Sequence, residues 1–190
     1  MARFRFSRWE FDADSSATRR CYNRIKEAGH SRCPESICQN FFAAGTRAFP
    51  ESVLDLFDRL GVEFRCPAEE YWIDRVKPGL WWYGGWYHFV GVMRSGTDAN
   101  EPMEGGGIVG RLEPVTETFR IGLSGHNPHL VASAFDGLPL IQMDFDAYIP
   151  WVLSSPEPVR QFTLTPRWRR WWHRLVSRGR PVKLGVEEFK

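Results

Sequence analysis

Leu138-Pro139-Leu140-Ile141-Gln142-Met143-Asp144-Phe145-Asp146-Ala147-Tyr148 decides the fold class. Ile141, Met143, Phe145 and Ala147 alternate with Gln142, Asp144 and Asp146. Successive side chains of a strand point to opposite faces, so one face here is apolar and the other polar and acidic. That is the pattern of an antiparallel sheet covered on one side. Pro150-Trp151-Val152-Leu153 closes the strand, and Ser154-Ser155-Pro156-Glu157-Pro158 reads as a linker.

The rest of the sheet is sought upstream. Phe119, Ile121 and Leu123 share a face of a strand over 118–124, and another strand is expected over 108–112. The polar, Gly-rich segment 94–107 reads as a loop. Leu80-Trp81-Trp82-Tyr83 and Trp86-Tyr87-His88-Phe89 flank Gly84-Gly85. Two apolar runs around two glycines predict a hairpin, because glycine tolerates the positive φ of tight turns. The second arm extends to Met93, with Trp86, His88, Val90 and Val92 on one face. Arg3-Phe4-Arg5-Phe6 alternates as an edge strand.

Helices are expected before this body. Asp14-Ser15-Ser16 is an N-cap cluster for a helix to Ala28, stopped by Gly29. Pro50 opens a second, whose Val53, Leu56, Phe57 and Leu60 form an i, i+3, i+4, i+7 stripe ended by Gly61. A third is expected after Thr165-Pro166, running to Ser177. It places Trp168, Trp171, Trp172, Leu175 and Val176 on one stripe, with arginines including Arg169 on other faces. The expected class is therefore α+β: N-terminal helices, an antiparallel sheet of about five or six strands, and a C-terminal amphipathic basic helix.

The 190 residues are 43% apolar and 25% charged, which excludes disorder and collagen-like chains. The net charge of +2 hides an asymmetry. Residues 1–158 carry 16 Lys/Arg against 21 Asp/Glu, a net −5, whereas residues 159–190 carry nine against two, a net +7. We expect one α+β domain over 1–158, with 159–190 a basic Trp/Arg-rich segment packed on it. No membrane-spanning stretch and no secretory leader is recognised, so the expected location is the cytoplasm.

Four constellations carry chemistry. Cys33 and Cys38, separated by four residues, have zinc-knuckle spacing; Cys21, His30 and Cys66 are the available further ligands. The competing roles are reduced, buried thiols, or a nucleophile at Cys33 beside His30 and Arg32. Trp81, Trp82, Trp86 and His88 form an aromatic group that suits a ligand pocket, with His88 as a base, a ligand contact or a core histidine. Asp144 and Asp146 project the same way, with His126 and His129 upstream. They suit acid–base work, and equally a solvated face. Trp168, Arg169 and Trp172 suit nucleic acid, a membrane surface, a protein partner or the chain's own sheet.

Leu60-Gly61-Val62, Pro67-Ala68-Glu69, Gly84-Gly85-Trp86-Tyr87-His88-Phe89-Val90-Gly91 and Ala147-Tyr148-Ile149-Pro150-Trp151-Val152-Leu153 follow one another after a cysteine-bearing start. This order resembles a set of small uncharacterised bacterial proteins, over about residues 21–153. The resemblance implies no activity; it singles out Cys33, Cys38 and His88 and does not include Cys66.

Three functions are thus expected to compete. The first is a cytosolic bacterial binding protein, such as an immunity or accessory factor that occludes a protein partner, stabilised by zinc if the cysteines bind it. The second is a small enzyme with a pocket of Trp81, Trp86 and His88 using Asp144 or Asp146. The third is a nucleic-acid-associated protein acting through 159–190.

Overall fold

The computed structural model describes residues 1–25, 34–102, 108–158 and 187–189, with 102, 108, 109 and 187–189 by backbone alone. Its strands are β1 (Ala2–Phe6), β2 (Trp9–Ala13), β3 (Glu69–Lys77), β4 (Leu80–Ser95), β5 (Asn100–Pro102), β6 (Ile108–Gly110), β7 (Glu113–Pro114), β8 (Phe119–Ser124), β9 (Leu140–Pro150) and β10 (Glu187–Phe189). The helices are α1 (Ser15–Tyr22), α2 (Ser36–Ala44) and α3 (Glu51–Leu60). The architecture is α+β. The main antiparallel sheet has eight strands, against the five or six expected. Its order is β10-β1-β2-β4-β9-β8-β7, with β3 also on β4.

The excess comes from strands with weak signals. β3 is half-buried over most of its length, so neither face alternates cleanly. β10 pairs with β1, Arg3 opposite Phe189. The expected helix over 165–177, with Trp168, Arg169 and Trp172, lies outside the described residues.

The hairpin expected at Gly84-Gly85 is not formed. Residues 80–95 are one continuous strand, and neither glycine has a positive φ. These glycines make space. A Cβ on Gly84 would lie 2.9 Å from the Tyr71 ring, and one on Gly85 would lie 2.3 Å from the Glu69 carbonyl oxygen. The reversal sits instead at Pro78-Gly79, where Gly79 has φ +79 and joins β3 to β4.

β4 organises the sheet. One edge pairs with β9 from Leu80 to Val90. The other edge is shared: Leu80–Trp86 pair with β3, and Gly91–Ser95 with β2. Two α1 side chains fill the gap. The Tyr22 hydroxyl donates to the His88 carbonyl at 2.8 Å, and the Val90 N–H donates to Thr18 Oγ1 at 3.0 Å. A buried backbone group left unpaired here would cost about 1–3 kcal/mol, which accounts for a threonine and a tyrosine on the buried side of a short helix.

Helix α1 is capped by Asp14, whose carboxylate accepts from the Ala17 N–H at 2.8 Å. It ends at Tyr22, short of the expected Ala28, and Cys21 is buried beneath it. α3 follows its sequence pattern: Val53, Leu56, Phe57 and Leu60 are buried, and Gly61 ends it at φ +77. The helices cover the sheet face carrying Tyr83, Tyr87, Phe89, Met143 and Phe145. Phe57 meets Tyr87 at 4.8 Å between ring centroids, and Phe41 meets Tyr83 at 5.6 Å and Phe145 at 5.9 Å. This aromatic layer is the core. No helix among the described residues is long and apolar enough to cross a membrane.

An aromatic and acidic pocket on the open face of the sheet

The face turned away from the helices presents Trp82, Gly84, Trp86 and His88 on β4. Opposite them on β9 stand Tyr148, Asp146, Asp144 and Gln142, in that order. β8 continues the rows, with Arg120 beside Asp146 and Gly122 beside Asp144. On the far side of β4, Tyr71 of β3 stands opposite Gly84 and Glu69 opposite Trp86.

Side chains around a glycine enclose a hollow. Here it is a cavity of about 480 Å³, walled by Tyr71, Trp82 and Trp86 and floored by Asp144 and Asp146. Glu69, Asn100, Leu112, His129, Leu130 and Gln142 are among its other lining residues. The segments around Asn100 and Leu112 are drawn down at Gly122, where a Cβ would lie 2.5 Å from both Ala99 Cβ and Leu112 Cδ2.

The walls are fixed by hydrogen bonds behind them. Trp86 Nε1 donates to the His129 carbonyl at 3.0 Å, and the His129 N–H donates to Gln142 Oε1 at 2.8 Å. Gln142 Nε2 donates to Asp144 Oδ1 at 2.9 Å, and Asn100 Nδ2 donates to Asp144 Oδ2 at 2.9 Å. The Asn100 N–H in turn donates to Ser124 Oγ at 3.2 Å. Tyr71 and Trp86 meet at 6.3 Å between centroids with their planes 61° apart.

The electrostatics follow from burial. Loss of water raises the Asp144 carboxyl, although the two amide donors pull it back. Asp146 is pushed up to about 6 by burial, against the opposing pull of the Trp82 indole N–H and Arg120. The Tyr71 phenol is pushed up to about 12, first by burial and then by the negative field of Asp146, Asp144 and Glu69. Among the described residues, no lysine or arginine forms an ion pair with either aspartate.

The sequence candidates separate on this geometry. Trp82, Trp86, Asp144 and Asp146 meet in one pocket. Trp81 belongs to the opposite face, with its Nε1 donating to Glu157 Oε2 at 2.9 Å and its ring against Trp151 at 6.1 Å. His88 does not line the cavity. It is 2% exposed and packs against Phe135 at 6.2 Å, and its Nε2 has no hydrogen-bond partner among the described residues. Burial holds it neutral, lowering its pKa to about 4. His126 turns away to Asp98, Nδ1 to Oδ2 3.0 Å, whereas His129 stands at the rim. Tyr71, Asn100 and Gln142 were not singled out by sequence. Only Gln142 carried a signal, as a polar member of the β9 alternation.

The cysteines do not assemble among the described residues. Cys21 is a buried free thiol and Cys66 a partly buried one. Cys38 is disulfide-bonded, which corrects the expectation of reduced thiols, since a disulfide sulfur is not a thiolate ligand. His30 and Cys33 lie outside the described residues. No cluster of three or more His, Cys, Asp or Glu suited to a metal occurs among the described residues. No family model, curated protein or solved structure matches the chain.

Proposed function

We propose that this chain is a binding protein whose recognition site is the open-face pocket, and that a protein partner inserts a positively charged group there. One observation carries the proposal: two half-buried carboxylates, without an ion pair among the described residues, are held under aromatic walls. Burying a carboxylate is costly unless a donor or a cation compensates. Aromatic faces attract cations as well, through the ring quadrupole. An anion would meet two negative charges on the floor.

The supporting network is a further argument. Asn100, Gln142, His129 and Trp86 hold one another, so the walls are ordered before any partner arrives, which lowers the entropic cost of binding. Photo-crosslinking in the producing cell tests the proposal, with the reactive group at position 71 and, as control, at exposed Glu51 on α3. We expect one protein adduct from position 71, none from 51, and its loss in the Asp144→Asn/Asp146→Asn double variant. Equal adducts from both positions, or none from 71, would overturn it.

A second reading, a small acid–base enzyme, draws on Asp146, whose carboxyl at about 6 suits proton transfer near neutrality. Its histidine would be His129 at the rim, since His88 is buried under Phe135.

A further inference from the structure

We infer that the group taken by the pocket is a guanidinium, presented by the partner as an arginine side chain. The inference rests on the cation-binding proposal above and narrows it to one chemistry.

The pocket floor offers unused acceptors. A carboxylate offers about four lone-pair sites. Asp144 spends one on each oxygen, accepting from Gln142 at 2.9 Å and Asn100 at 2.9 Å. Its own backbone N–H takes a third site, which leaves acceptor capacity for one more donor from the pocket. Asp146 feels the pull of the nearby Trp82 indole N–H and has capacity left. A quaternary ammonium carries no N–H and would seal these acceptors away unpaired. The occupant must therefore be a cation that donates several hydrogen bonds.

The spacing of the acceptors then selects its shape. Asp144 and Asp146 are two residues apart on one strand face, so their Cα atoms stand about 7 Å apart. A primary ammonium is compact and its three donors diverge from one atom. A guanidinium is a flat fork of five N–H groups that spreads across two acceptors and also stacks on aromatic faces. Such faces are present: Tyr71 and Trp86 stand beside the carboxylate row. The Trp86 N–H is already committed to the His129 carbonyl at 3.0 Å, which fixes the ring without using its faces. The cavity of about 480 Å³ also has room for the apolar stem behind the charged head.

Three capped amino acids test this on the full chain: N-acetylarginine methylamide, its neutral isostere N-acetylcitrulline methylamide, and N-acetyl-trimethyllysine methylamide. The readout is the indole N–H resonances of Trp82 and Trp86 in a ¹⁵N-indole NMR titration. We expect saturable shifts with the arginine compound, at least tenfold weaker binding by the other two, and at least a tenfold loss in Asp146→Asn and in Asp144→Asn. Citrulline binding as well as arginine would overturn the inference, as would trimethyllysine binding as well or better. So would the absence of any shift with arginine. In each case crosslinking from position 71 still decides whether the pocket is the recognition site at all.

Discussion

Replacing Asp146 with Asn should make the folded chain more stable at neutral pH and leave it nearly unchanged near pH 4. Burial raises this carboxyl from 3.8 to about 6. Between those values the folded state binds a proton that the unfolded chain has released, so stability falls as pH rises through this window. Above about pH 6 the cost is complete: the native state holds an ionised group that water would solvate better. The shift of about two pKa units corresponds to a cost of about 3 kcal/mol at pH 7. Asparagine keeps the shape and an acceptor for the Trp82 N–H but removes the charge. We expect Asp146→Asn to gain up to that amount at pH 7, a rise of about 6–12 °C in Tm for a chain of this size. Below pH 4, where both states of the wild type are protonated, the two proteins should unfold together. Urea unfolding at the two pH values is the assay. A variant that is less stable at pH 7, or more stable by the same margin at both pH values, would refute the reasoning.

Other perturbations follow from the same geometry. His88 has its pKa lowered to about 4, so its contribution is intact above 6.5 and is lost as pH falls towards 4. The acid destabilisation of Asp146→Asn should therefore be steeper than that of the wild type, and adding His88→Leu should flatten it in urea titrations. Thr18→Val removes the acceptor of the Val90 N–H and should cost about 1–3 kcal/mol in chemical unfolding. Gly122→Ala puts a Cβ 2.5 Å from Ala99 and Leu112 and should cost about 1–3 kcal/mol by overpacking. Gly84→Ala drives a Cβ into the Tyr71 ring and should weaken binding of the arginine probe while the far-UV circular dichroism is unchanged.

The elements that were legible in the sequence are those whose signal is local. The α3 stripe and its Gly61 stop need only nine neighbouring residues, Val53 to Gly61, and the β9 alternation needs seven, Ile141 to Ala147. Gly84-Gly85 misled because glycine serves two purposes. A turn needs its backbone freedom and a packed strand needs its missing side chain, and the two uses look alike without the partner strand. Pro78-Gly79 carried the true turn signal a few residues earlier. β3 was illegible because an edge strand half-buried along both faces has no clean period.

The site was legible in its parts and not in its assembly. Asp144 and Asp146 show as an acidic strand face, which usually faces water. They are half-buried because Asn100, Leu112 and His129 come over them from distant segments. The aromatic group divided for a simpler reason. Trp81 and Trp82 are adjacent on one strand, so they lie on opposite faces, and only Trp82 joins Trp86 above the acids. Tyr71 enters from a strand with no signal of its own.

The central claim is that the Asp146 carboxylate, under its aromatic walls, receives a cation. The pH profile of affinity for N-acetylarginine methylamide, taken with wild type and Asp146→Asn, tests it most directly. The wild-type affinity should be constant above pH 7 and fall by about tenfold per pH unit below about 6, as the carboxylate takes up its proton, while the variant stays weak and flat over that range. A wild-type affinity that does not change between pH 7 and pH 5, or a variant that binds as tightly as the wild type, would contradict it.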